Sequence, residues 1–188
     1  FEANAIKQFE QIQTGALLDV SWSGLNFAPI DTLVSKNSAR LQLLPFVGTT
    51  VDDWSLRVGV NLIESIGLNT FKAYPDVRFD YNLLSYSLIP YIRYSGNLQH
   101  YSMNTMLFEN PYTSNYVYLR PTNYKMNIEF GAKGRLLRTI PFVAACTISQ
   151  FENMYFWVND VVGTNGIQNS FIPVYDNGTR ITLHGETG

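Results

Sequence analysis

Cysteine is almost absent. Cys146 is alone in 188 residues, which excludes a disulfide framework. Charge is scarce too, at 15% of residues against about 25% in an average soluble domain. The 13 Lys and Arg nearly balance the 15 Asp and Glu, so the basic excess of a nucleic-acid binder is missing. Histidine is limited to His100 and His184, with no Cys or carboxylate cluster at zinc spacing. A G-x-S-x-G nucleophile motif is lacking as well, and His100 beside Ser102 has no base-to-nucleophile geometry within one loop. The chain therefore reads as non-enzymatic, without metal, cofactor or nucleic acid. Its longest apolar run, Ile140 to Cys146, is interrupted by Pro141 and falls far short of the ~20 residues of a helical membrane span. The opening Phe1-Glu2-Ala3-Asn4 has neither Met nor a basic leader region, as expected of a processed or excised piece.

What is present is apolar, aromatic and amide-rich. Apolar residues make up 46%, with 12 Tyr, 12 Phe and 17 Asn, which rules out a disordered chain. Several segments alternate strictly, and only a strand sends alternate residues to opposite faces. Trp54, Leu56, Val58, Val60 and Leu62 alternate with Asp53, Ser55, Arg57, Gly59 and Asn61. Phe71, Ala73, Pro75, Val77, Phe79 and Tyr81 alternate with Lys72, Tyr74, Asp76, Arg78 and Asp80. Tyr124, Met126, Ile128, Phe130 and Ala132 alternate with Lys125, Asn127, Glu129 and Gly131. Ala16, Leu18, Val20 and Trp22 alternate with Leu17, Asp19, Ser21 and Ser23, and weaker segments at 39–48, 87–96, 139–149, 171–175 and from 180 onward bring the count to about nine strands. Helical periodicity is confined to residues 1–10, read as a short helix or lead-in, and to Ser102–Glu109.

The expected connections are 26–38, 49–52, 63–70, 82–86, 97–123, 133–138, 150–170 and 176–179. Long and short alternate, as in an up-and-down membrane barrel with short turns at one end and long loops at the other. A Greek-key sandwich has no reason to sort loop length by parity. The fold class expected is thus all-β, an antiparallel up-and-down transmembrane β-barrel, with residues 1–188 as one barrel segment. Alternation alone does not say which face meets water. Scarce Lys and Glu, with Asn, Ser, Thr, Tyr and Gly at polar positions, favour a hydrated lumen over a solvated exterior. The lumen row would then be Arg57, Lys72, Asp76, Arg78, Asp80, Lys125 and Glu129, whose mixed signs argue against a strongly ion-selective pore. The alternative is a soluble all-β ligand-binding module, with carbohydrate as a candidate ligand.

Val58-Gly59-Val60-Asn61-Leu62 followed by Phe71-Lys72-Ala73-Tyr74-Pro75-Asp76-Val77-Arg78 resembles outer-membrane β-barrel proteins of the Bacteroidetes, of the TonB-dependent receptor-like kind. Glu109-Asn110-Pro111-Tyr112, Leu119-Arg120-Pro121-Thr122-Asn123, Gly131-Ala132-Lys133-Gly134 and Met154-Tyr155-Phe156-Trp157-Val158-Asn159-Asp160 continue the resemblance over about residues 40–188. It implies a bacterial outer-membrane location, contact with outer-membrane lipid, and a role in transport or in a surface complex with a lipoprotein or another outer-membrane subunit. A plug domain and TonB-contacting segment are missing, so a TonB system enters only with a plug domain outside this segment, and a larger barrel is implied. In the long loops 97–123 and 150–170, expected to be extracellular, Tyr101, Phe108, Tyr112, Tyr116, Tyr155 and Trp157 are the candidate ligand-contacting residues, by stacking or by docking a partner.

Overall fold

The computed structural model describes residues 1–24, 37–66, 70–84, 87–114, 117, 119–136, 139–160 and 170–188. Nine strands form one sheet in simple chain order: β1 (Glu2–Phe9), β2 (Ile12–Gly24), β3 (Asn37–Val51), β4 (Trp54–Ile66), β5 (Thr70–Tyr81), β6 (Leu88–Gln99), β7 (Thr122–Leu136), β8 (Ile140–Asn159) and β9 (Phe171–Thr187). One short helix, α1 (Met103–Glu109), lies between β6 and β7. Every neighbouring pair is antiparallel. The protein is all-β, an up-and-down meander. The sheet does not close into a barrel: among the described residues, β1 pairs with β2 alone and β9 with β8 alone.

The strand count agrees with the alternation, but the partition differs at both ends. Residues 1–10, expected as a helix or lead-in, form β1, because Glu2–Phe9 finds an antiparallel partner in Ile12–Asp19. The connection expected at 176–179, over the turn-forming Asp176-Asn177-Gly178, is absent, and β9 runs through it. A bulge in β8 makes this possible. Asn153 adopts φ 55°, the register shifts between Phe151 and Met154, and the Asn153 N–H donates to Asn177 Oδ1 at 3.0 Å. The bulge absorbs the irregularity that the Asn-Gly pair signalled as a turn. The loop expected at 150–170 shrinks accordingly, since β8 continues to Asn159. The loop expected at 63–70 likewise shrinks to 67–69. Connections at one end of the sheet are then 10–11, 52–53, 82–87 and 137–139, and at the other 25–36, 67–69, 100–121 and 160–170. Length sorts by end except at 67–69.

The prolines act where a missing N–H would interrupt a ladder. The β3–β4 pairing skips Leu44 and Pro45, resuming at Phe46↔Gly59. The β5–β6 ladder covers only Val77 to Asp80 and stops short of Pro75.

Register aligns the alternating faces from β3 to β9. One row is Val47, Val58, Val77, Tyr94, Ile128, Ile148 and Ile181, and the row beside it is Gly48, Arg57, Arg78, Arg93, Glu129, Thr147 and Thr182. The apolar face is the outer, exposed one: Val58 is 42% accessible, Val60 43% and Phe130 46%. The inner face is mixed: Asn61 and Asp76 are each 5% accessible there, beside a buried apolar and aromatic cluster of Ile63, Tyr74 and Leu98, with Leu44 and Phe46 on the same face. Tyr124, expected on the apolar face, is instead buried beside Phe151, because a register shift between Tyr124 and Met126 reverses the alternation there.

Aromatic rings close the inner face over glycines on neighbouring strands. Phe46 covers Gly15, Tyr74 covers Gly96 and Tyr91 covers Gly131. A Cβ at Gly131 would lie 2.5 Å from the Ala144 carbonyl oxygen and 2.9 Å from the Tyr91 ring. Gly131→Val should therefore cost about 1–3 kcal/mol through overpacking. It should lower the temperature at which the sheet's circular dichroism is lost, while Gly185→Val, with nothing within 4 Å of its Cβ, should not.

Candidate functional site

The inner face carries a lattice of charges. Asp76 on β5 accepts from Arg57 Nη2 on β4 at 3.2 Å and pairs with Arg78 Nε at 3.5 Å. Arg93 pairs with Glu129 at 3.2 Å, Lys133 with Asp80 at 2.8 Å and Lys125 with Glu152 at 2.5 Å. Six of the seven residues expected to line the lumen thus join ion pairs on one face, and exposed Lys72 completes the set near the Glu152 carboxylate. Of the alternating Asp76, Arg78 and Asp80, the first two pair, whereas Asp80 turns to Lys133 two strands away. Guanidinium groups also lie on rings: Arg57 over Phe46 and Arg93 over Tyr91, each at 4.6 Å from the centroid. Long cations thereby cover apolar rings while their charged ends meet carboxylates.

The curl of the sheet borders an open cavity of about 690 Å³ on this face, between β1–β2 and β4–β6. Glu2 and Asp19, directly opposed in register, stand on one wall, and Arg57, Asp76 and Arg78 on the other. Asn61, Gln42 and Asn97 add amides. Asn61 donates to the Gly96 carbonyl at 3.0 Å, which leaves its Oδ1 buried without a partner. Alternation marks Arg57, Asn61, Asp76 and Arg78 as sharing a face. Glu2 and Asn97 carried no such signal, as one lay in a presumed lead-in and the other in a presumed loop.

A second cluster stands at the long-loop end. Ser102 caps α1, its Oγ accepting from the Thr105 N–H at 3.2 Å, and Met106 is fully buried under the helix. The segment after α1 is pinned to the start of β9 by Phe171 N–H donating to the Tyr112 carbonyl at 2.9 Å. This holds Glu109 over β8, where its carboxylate accepts from the Tyr155 hydroxyl and, at 3.4 Å, from Trp157 Nε1. Tyr101 packs edge-on to Tyr155 at 4.7 Å, and Tyr155 to Trp157 at 5.7 Å. Burial is the main reason that the Tyr101 hydroxyl holds its proton above the usual range. Three of the six aromatic candidates therefore converge. Phe108 at 93% and Tyr112 at 62% exposure point away into solvent, and Tyr116 lies outside the described residues. Glu109, which organises the cluster, was visible only as part of the Glu-Asn-Pro-Tyr motif. Its partners are 46 and 48 residues away in sequence.

His100 meets Ser65 rather than Ser102, with Nε2 and Oγ 2.7 Å apart. The distance suits a nucleophile and its base, but the surroundings do not. Ser65 is 1% accessible, and His100 Nδ1 is buried with no orienting partner. Burial first, and the Arg40 charge second, depress the imidazole pKa, disfavouring the imidazolium that a general base must become. The pair fastens the start of the long loop to β4. Because the folded pKa lies below that of the unfolded chain, only the unfolded state takes up a proton as pH first falls below about 6.5. Stability from this contact should decline there and level off below the folded pKa. His100→Gln should flatten that acid limb in thermal unfolding measured across pH 4–8.

No protein-family model matches the chain, and comparisons with curated proteins and with solved structures give no significant match.

Proposed function

We propose that this sheet is a segment of a bacterial outer-membrane β-barrel, non-enzymatic, which presents its outer face to lipid and holds polar ligand or solvent on its inner face. The reversed sidedness carries this reading: valines, Ile92, Phe130, Ile181 and Leu183 lie exposed while Arg57, Asp76, Asn61 and Glu129 face inward. A soluble module would turn the apolar face into a core, yet among the described residues no second sheet packs on it. Strand length fits as well, since β2–β9 each have 12–20 residues, enough to cross hydrocarbon at the usual tilt of about 45°. Backbone groups in lipid must all be paired, so the open edges of β1 and β9 require further strands. With nine strands in a meander, β1 and β9 run parallel, and an antiparallel closure needs an odd number of additional strands.

The role that fits is transport or reception, or membership of a surface complex. Exposed Phe108 and Tyr112 beside the Glu109 cluster offer a contact for a surface lipoprotein or another outer-membrane subunit. A receptor of the TonB-dependent kind is the finer form of this proposal, and it requires a plug domain. Partition is the direct test. The protein should stay folded in detergent or lipid vesicles, and its Trp22 and Trp54 fluorescence should be quenched by brominated acyl chains. A folded monomer in plain buffer, unquenched by such lipids, would overturn the reading.

A further inference from the structure

We infer that the bilayer covers a belt of the outer face about ten residues tall, and that the far ends of β8 and β9 stand outside it. The inference rests on the membrane reading and fixes where the lipid sits. Outward aromatics mark the lower limit, beside the short connections. Phe9 precedes the turn at 10–11. Trp54 and Tyr81, opposed in register, stand next to the connections at 52–53 and 82–87. Trp22 and Phe71, both exposed, mark the upper limit. On β5 Phe71 and Tyr81 are ten residues apart, and on β2 Trp22 is ten residues from Ile12 at the turn. Ten residues of strand measure about 33 Å, which at a tilt of about 45° gives roughly 24 Å of height. A barrel presents an apolar band of about 25 Å to lipid.

Charge respects the same limits. Between them, among the described residues of β2–β9, alternation sends no charged side chain outward. The first outward charge on β4 is Glu64, directly opposite Phe71 at the upper limit. On β1 Lys7 points outward two residues from Phe9, and its ammonium lies over that ring at 4.6 Å, leaning toward the lower limit. On β8 and β9 the apolar pair Ile148 and Ile181 gives way to the pair Gln150 and Thr179, just before the bulge at Asn153. Beyond this polar step lie Tyr155, Trp157 and the Glu109 carboxylate that joins them, clear of hydrocarbon. Exposed Phe156 and Val174, paired on the outer face, lie beyond it too. The limits suit Trp and Tyr, whose rings are apolar in body and polar at the tip.

Depth-dependent fluorescence quenching tests this in vesicles brominated either near the acyl carbonyl or near the chain end. Each protein keeps one outward tryptophan, at Trp22, Trp54, Phe130→Trp or Phe156→Trp, with the other native tryptophans changed to phenylalanine. Trp157→Phe gives up only the 3.4 Å bond to Glu109, and circular dichroism checks that each sheet is intact. Trp22 and Trp54 should be quenched at least about twofold more by the shallow bromines than by the deep ones. Phe130→Trp should show the reverse order, and Phe156→Trp should be quenched by neither. Lipid quenching of Phe156→Trp, or any other depth order among the remaining three, would overturn the belt while leaving the sheet in lipid. Protein that never enters the vesicles would instead sink the membrane reading itself.

Discussion

Asp76→Ala is expected to destabilise the protein by about 3 kcal/mol, the low end of what losing one partner of a buried ion pair costs. The Asp76 side chain is 7% accessible and touches two guanidiniums. Its removal leaves Arg57, packed on Phe46 with its Nε already unpartnered, as an uncompensated charge on the inner face. Arg78 is 44% accessible and turns to water at little cost. The double change Arg57→Met with Asp76→Leu should recover most of the loss, because it removes both desolvated charges together. Urea midpoints of the two variants in the same lipid vesicles measure the difference. By contrast, Lys125→Ala breaks a half-exposed pair and should cost under about 1 kcal/mol.

Phe130→Arg should be as damaging for the opposite reason. Phe130 lies mid-strand in β7 on the outer face, between Ile92 and Cys146 in the same apolar row. With the outer face in lipid, as proposed, an arginine there would enter hydrocarbon, at about 2–4 kcal/mol near the bilayer midplane. Thr147→Arg, placed on the inner face beside Glu129, should change stability by less than about 1 kcal/mol, since it gains a carboxylate neighbour. Folding yields of both variants into preformed vesicles separate the faces. Equal tolerance of the two arginines would remove the lipid-facing assignment.

Much of this was written locally. Arg57, Asn61, Asp76, Arg78 and Glu129 were legible as one face because a strand's period of two needs no tertiary knowledge. Ser102 at the head of a short helical period was legible for the same reason: its cap is satisfied three residues away. The misreadings are cases where a distant partner outweighed local preference. Glu2–Phe9 became a strand because β2 supplied an edge. Asp176-Asn177-Gly178 stayed extended because β8 bulged at Asn153 to meet it. Tyr124 changed face because one extra residue at Lys125 reverses every side chain beyond it.

The amino-acid order by itself determined the strands, their alternating faces and the sparse, balanced charge, since each depends on neighbours within a few residues. Folding decided which strands pair in what register, that the charged face turns inward around a cavity, and that Glu109 meets Tyr155 and Trp157 while His100 meets Ser65. Those outcomes depend on side chains from different strands arriving at the same place. No short stretch of chain contains that information.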